Sequence, residues 1–247
     1  MKKLISVILC FLITAGLLLE KQALSAMAEM ETESETPTWD LTPLPDSWFD
    51  NTVFLGDSVS CILQDYCEKN ALLGDALFLP VGSYSVHNAI SGQIQIYWRG
   101  QQRFAQDILP ETGASKVFIM LGINDIALEG GVDRTMELWY QYVEEIQEKD
   151  PTIQIFIESM LPVLTATEFP GRNNAKIDDY NDRLRALSRE KGCIFVELAH
   201  YLKDETNGLP MEYTYDLSVH LTFQAAKIWA EQLKNPENYS EDPRMFG

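Results

Sequence analysis

Two periodicities divide this chain. From residue 50 onward, short unbroken apolar runs at 53–55, 76–81, 116–121, 153–158 and 193–197 recur between longer stretches with helical spacing. Runs this short, apolar at every position, read as strands buried on both faces, as in a parallel sheet. The clearest helix is predicted over 132–149, where Met136, Trp139, Tyr140, Val143 and Ile146 mark one face. Gly130-Gly131 precedes it and Pro151 stops it. Further helices are predicted after residue 58, over 174–191 and over 222–233, the last with Thr222 as a candidate cap. Five strands alternating with helices make βαβ units, so the expected fold class is α/β. The architecture is a three-layer α/β/α sandwich with a five-stranded parallel sheet. No internal repeat is visible.

The first 46 residues break this pattern. Lys2 and Lys3 precede an apolar run over 4–19, and Ala26-Met27-Ala28 follows it. A charged start, an apolar core and a small-x-small site predict a signal peptide over 1–28. An uncleaved membrane anchor is the alternative, although the run is short of the roughly 20 residues that span a bilayer. Cys10 lies inside the apolar core, too early for lipid attachment. Residues 29–46 carry Glu29, Glu31, Glu33 and Glu35, then Pro37, Pro43 and Pro45, and read as a solvated linker. Trp39 and Leu41 are candidates to dock on the domain surface. The main domain then occupies 47–247, and the expected location is secreted or cell-surface.

Charge narrows the partners. The chain carries 19 basic and 37 acidic residues, a net charge of −18. Removing residues 1–28 takes three lysines and one glutamate and moves the net charge to −20. Such a surface argues against nucleic acid and anionic membranes as partners. Cys61, Cys67 and Cys193 would remain, with neither a CxxC pair nor metal-ligand spacing. They allow one disulfide and one thiol, or three buried thiols.

The candidate chemistry lies at strand ends. Gly56-Asp57-Ser58 follows the first apolar run, which sets Ser58 on a strand-to-helix turn at the carboxyl edge of the sheet. Ligands bind at that edge in open α/β sheets. Ser58 could simply cap the helix. As a nucleophile it would have the helix dipole and backbone N–H groups beside a developing oxyanion. Gly82 follows the second run, either as a turn glycine or as a backbone N–H left open to substrate. Gly122-x-Asn124-Asp125 follows the third run. Asn124 is a turn former or a side-chain donor aimed at Ser58, and Asp125 reads as a brace or cap. His220 sits in a loop before the last helix, within reach of the sheet edge, whereas His87 and His200 read as ordinary surface or core residues.

Together these blocks resemble the SGNH hydrolases, the GDSL lipase/esterase family, over about residues 50–235. The resemblance implies a flavodoxin-like fold and hydrolysis of carboxylic esters through an acyl-serine. Ser58 would be the nucleophile and His220 the general base. The Ser58 and Gly82 N–H groups and the Asn124 amide would form the oxyanion hole, with no metal or organic cofactor. One departure stands out. The family usually places its acid three residues before the histidine, where this chain has Leu217. Asp216, four residues before, either orients His220 or leaves that task to a backbone carbonyl. The expected substrate is a small ester, in particular an acylated extracellular or cell-wall glycan. Short-chain lipid or lysophospholipid esters, acyl transfer to a glycan hydroxyl, and an inactive binding module are the competing readings. Candidate pocket walls are the loops 83–99, 126–131, 162–173 and 203–217.

Overall fold

A computed structural model of the protein describes residues 42–239. The segments read as signal peptide, the docking residues Trp39 and Leu41, and most of the linker lie outside them. The chain is fastened to the domain from Leu44, inside the stretch read as linker. The Leu44 N–H donates to the Lys234 carbonyl at 2.7 Å, and Asp46 pairs with the Lys234 ammonium at 3.0 Å.

The five apolar runs are the five strands of one parallel sheet. They are β1 (Thr52–Gly56), β2 (Leu77–Pro80), β5 (Lys116–Met120), β6 (Gln154–Glu158) and β7 (Ile194–Val196). The sheet order is β2-β1-β5-β6-β7. Order reverses beside β1, so the crevice between the carboxyl ends of β1 and β5 is the switch point where open α/β sheets bind ligands. The register aligns Phe78, Phe54, Phe118 and Phe156 in one row across four strands. Their rings stack with centroids 5.0, 4.9 and 4.3 Å apart. The continuous apolar runs in the sequence are therefore the centre of the core.

Helices cover both faces. α1 (Cys61–Asn70) packs against α6 (Phe223–Leu233). α2 (Val86–Ser91), α3 (Ala105–Thr112) and α5 (Asn174–Lys191) pack against α4 (Gly131–Lys149). The face expected on α4 is buried, with two adjustments. Tyr142 joins it, while Tyr140 is only partly buried at its edge and donates to Glu190 at 2.7 Å. Thr222 takes the N-cap position of α6, but its hydroxyl donates to the Glu212 carbonyl instead of capping. Cys61 is exposed, while Cys67 and Cys193 are buried, and all three are thiols. Leu63 and Cys67, four residues apart, set the buried side of α1, and Cys61 points the other way. Residues 96–103 form a hairpin of β3 (Ile96–Trp98) and β4 (Gln101–Arg103). Tyr97 is 69% exposed there, while Trp98 and Arg99 both engage Glu111.

Glu158, the last residue of β6, is fully buried and accepts from the Trp229 indole at 2.8 Å. Burial pushes its carboxyl up to about 8, against that one hydrogen bond. Its unfolded value is 4.5, so the folded state holds a proton that the unfolded state releases between those two values. Stability is then full below the unfolded value and is lost as pH rises through the folded one. Glu158→Gln keeps an acceptor for Trp229 and removes the ionisation. Its Tm should exceed that of the parent by ~5 °C at alkaline pH, with the gain vanishing in mild acid, as read by thermal melts across pH.

Candidate active site

Strand β1 ends at Gly56, where a Cβ would lie 2.0 Å from the Ser60 Oγ. Glycine leaves room there for the Ser60 side chain as the chain enters the 3₁₀ turn Ser58–Ser60 that leads into α1. Asp57, not Ser58, is the cap of that turn: its Oδ1 accepts from the Val59 N–H at 2.8 Å. Ser58 is thereby freed from capping and stands half-buried at the switch point.

The histidine comes from a loop between the isolated bridge partners Thr214 and Leu221. His220 Nε2 lies 3.0 Å from Ser58 Oγ, and its Nδ1 lies 2.5 Å from Asp216 Oδ2. The four-residue spacing from acid to base fits because Leu217 adopts φ +57°, a left-handed conformation that folds the additional residue outward. Asp216 Oδ1 also accepts from the Ser218, Val219 and His220 N–H groups and from the Thr214 hydroxyl. Partial burial works against ionisation of Asp216, but hydrogen bonds from His220, Thr214 and the loop N–H groups outweigh it and hold the carboxyl down at about 2. The Tyr215 ring lies nearly parallel to the imidazole, centroids 5.9 Å apart, and is largely exposed.

The segment 162–173 braces this loop. Asn174 clamps both the N–H and the carbonyl of Val163, the Leu164 N–H donates to the Ser218 carbonyl, and the Arg172 guanidinium reaches the Ser218 hydroxyl at 3.5 Å. Its apolar half, Val163 and Leu164, is buried.

The candidate oxyanion donors divide into two kinds. Gly82 lies exposed past the end of β2, beside β1, and a Cβ there would meet no protein atom within 4 Å. Among the described residues no acceptor takes the N–H of Gly82 or of Ser58. Asn124, past the end of β5, differs. Its Nδ2 donates to the Tyr84 carbonyl at 2.9 Å and to Asp57 Oδ2 at 3.2 Å. Gly122 lets the chain turn toward this position at φ +131°, with the Tyr180 hydroxyl packed where a Cβ would stand. Asp125 is the expected brace, accepting from the Val86 and His87 N–H groups at the start of α2. Ser85 caps α2 and Asn88 bonds the Ser83 carbonyl, so both support the loop after Gly82. Tyr84 is buried and lines no substrate surface.

Burial pushes the Asp57 carboxyl up to about 7, against the Val59 N–H and His220 and with the help of Asp125. The Asp57–Asn124 contact has no counterpart in the sequence reading. The two residues are 67 apart, and no periodicity links them. Among the described residues no group of three or more His, Cys, Asp or Glu is arranged to hold a metal, and no helix is long and apolar enough to cross a membrane.

Residues 54–228 match the GDSL-like Lipase/Acylhydrolase family. This chain belongs to that family. Membership carries hydrolysis of ester bonds as its class of activity. Solved structures agree on the fold. A GDSL-like lipase from Bacteroides thetaiotaomicron is 22% identical, with a TM-score of 0.54 over 74% of this chain and 85% of that one. A structure from Streptococcus pneumonia described as a platelet activating factor is 19% identical, with a TM-score of 0.58 over 90% of this chain and 97% of that one. An acetyl xylan esterase is 16% identical, with a TM-score of 0.53 over 74% and 96%. Comparison with curated protein sequences found no match.

Proposed function

We propose that this GDSL-family protein is a serine esterase that cleaves short acyl esters, with acetyl groups on an extracytoplasmic glycan as its substrate class. The observation that carries the serine mechanism is the continuous chain Ser58 Oγ–His220–Asp216, at 3.0 and 2.5 Å. Ser58 Oγ attacks the ester carbonyl while His220 Nε2 takes its proton. Asp216 fixes the tautomer with Nδ1–H toward the carboxylate and stabilises the imidazolium. The open N–H groups of Ser58 and Gly82 receive the oxyanion. His220 then returns the proton to the leaving alcohol, and water repeats the sequence on the acyl-serine.

The short acyl group is supported by a small recess between the ends of β5 and β6. Val59 and Val219, which flank Ser58 and His220 in sequence, line it with Met120, Ile123, Met160 and Val163. It has room for about one water-sized group, the bulk of an acetyl methyl. The glycan is supported by the acetyl xylan esterase among the structural relatives. The extracytoplasmic setting rests on the signal-like residues 1–28.

Fluorophosphonate labelling with peptide mapping tests the nucleophile. A single adduct on Ser58 is expected, and a folded protein that gains none contradicts the mechanism. Substrate class is tested by acetate release from acetylated oligosaccharide against turnover of long-chain nitrophenyl esters. Preference for the long chains would reverse the assignment. Transfer of the acyl group to an added glycan acceptor in place of release would identify an acyltransferase.

A further inference from the structure

Asp57 does more at the site than a cap requires. A capping residue needs one side-chain oxygen, and Ser, Thr or Asn supplies it as well as Asp. Here Oδ1 alone makes the capping bond to the Val59 N–H. The second oxygen of a carboxylate only 1% exposed is turned to Asn124. Burying a carboxylate where a neutral cap would serve is unfavourable for stability, so the second oxygen calls for its own explanation. Asn124 supplies one. Its amide has two hydrogens. The contact to the Tyr84 carbonyl, at 2.9 Å, has ordinary length, while the contact to Asp57, at 3.2 Å, sits at the long end of the range. The hydrogen given to Asp57 is directed at the residue that immediately precedes Ser58 in the chain. It is also the one more easily surrendered to a stronger acceptor.

We propose that Asp57 is a positioning residue for ester cleavage: it holds the Asn124 amide in register beside Ser58 in the resting site and yields that N–H to the oxyanion as the tetrahedral intermediate forms. The assignment rests on the serine-esterase reading above. The proton stays on the amide throughout, and only its acceptor changes, from a carboxylate oxygen to the substrate oxygen. The Tyr84 carbonyl anchors the other hydrogen, so the amide pivots and does not swing free. The site then meets the oxyanion with two fixed donors, from Ser58 and Gly82, and a third whose aim Asp57 sets.

Asp57→Asn tests this directly. It is isosteric and keeps an oxygen for the Val59 N–H, but it turns an N–H₂ toward Asn124 where an acceptor stood. On p-nitrophenyl acetate, kcat should fall roughly 10- to 100-fold with KM within about twofold, because a misaimed Asn124 amide weakens a contact that forms only in the transition state. The Tm should be unchanged or higher, since a buried ionisable group has gone. A purely structural cap, which Asn supplies as well as Asp, would leave kcat intact. Asn124→Ala alone should lose about 100- to 1,000-fold in kcat, the usual effect of deleting one oxyanion donor. Asp57→Asn placed on Asn124→Ala should add less than about threefold, because Asp57 works through the amide that is missing. Multiplying losses in the double variant, or an unchanged kcat in Asp57→Asn, would overturn the proposal. Should Asp57→Asn fail to fold, Asp57→Ser retains a capping oxygen without reaching Asn124, and the same cycle applies. Ser58→Ala is the control: if it retains turnover, the serine mechanism itself is wrong, independently of Asp57.

Discussion

Ser58→Ala should reduce kcat/KM for a short nitrophenyl ester by ~10⁵- to 10⁶-fold and abolish fluorophosphonate labelling. The substitution removes one oxygen, which lies 3.0 Å from His220 Nε2 and, among the described residues, is the only hydroxyl that the imidazole reaches. In a serine hydrolase whose residues act as a unit, losing the nucleophile alone costs nearly as much as losing the whole set, and what survives comes from the oxyanion hole and binding. The same remnant is expected here, because the Ser58 and Gly82 N–H groups and the Asn124 amide remain. Stability should barely move. Ser58 is half-buried, and the capping bond that shapes its turn belongs to Asp57. A purified variant with an unchanged melting curve and more than about a hundredth of the parent activity would show that the nucleophile is another group.

The second large effect is expected at Asp216. Asp216→Asn should lower kcat by ~10²- to 10⁴-fold, the upper end being the loss measured for this exchange in a related triad. The new amide can keep its oxygen on the Oδ1 side, where the Ser218, Val219 and His220 N–H groups and the Thr214 hydroxyl gather. Its N–H₂ then faces His220 Nδ1, where the carboxylate stood at 2.5 Å. Two donors cannot share that contact, so the ring holds its proton on Nε2 and can no longer accept from Ser58. The acid limb of the pH profile should not carry the Asp216 ionisation. With its carboxyl held at about 2, Asp216 is charged across any practical assay range. Its replacement should therefore lower the rate across the whole assay range. A rate close to the parent would mean that a backbone carbonyl orients His220, the arrangement that Leu217 in the family's usual acid position leaves conceivable.

The sheet was legible because burial on both faces leaves apolar residues at every strand position, as in 53–55 and 116–121. The long helices were legible because one face of each is apolar at helical spacing. The hairpin at 96–103 was not, since three-residue strands show too little alternation to register. Helix α3 carries Pro110 in its last turns, a residue that reads as a break. At the site, Ser58, Gly82, Asn124 and His220 could be singled out because each follows a strand or precedes a helix. Their coupling could not. The Asp57–Asn124 bond joins two loops through the sheet topology, and the reach of Asp216 depends on Leu217 taking a backbone conformation that its side chain does not advertise. The buried state of Glu158 was equally silent, because a glutamate closing an apolar run ordinarily marks where a strand meets water.

The fastening of Leu44 and Asp46 to Lys234 fixes a polarity for the whole domain. The chain enters beside the first residues of β1 and β5, where the Lys116 ammonium lies over the Trp48 ring. The serine and histidine stand at the opposite ends of the same strands, roughly 17 Å away along a five-residue strand. A pull or an attachment applied through the entering chain therefore acts on the floor of the molecule and leaves its mouth facing outward. Protein immobilised on beads through a residue upstream of Leu44 should present Ser58 to polymers too large to diffuse beneath it, whereas attachment through the 203–217 loop would press the mouth against the support.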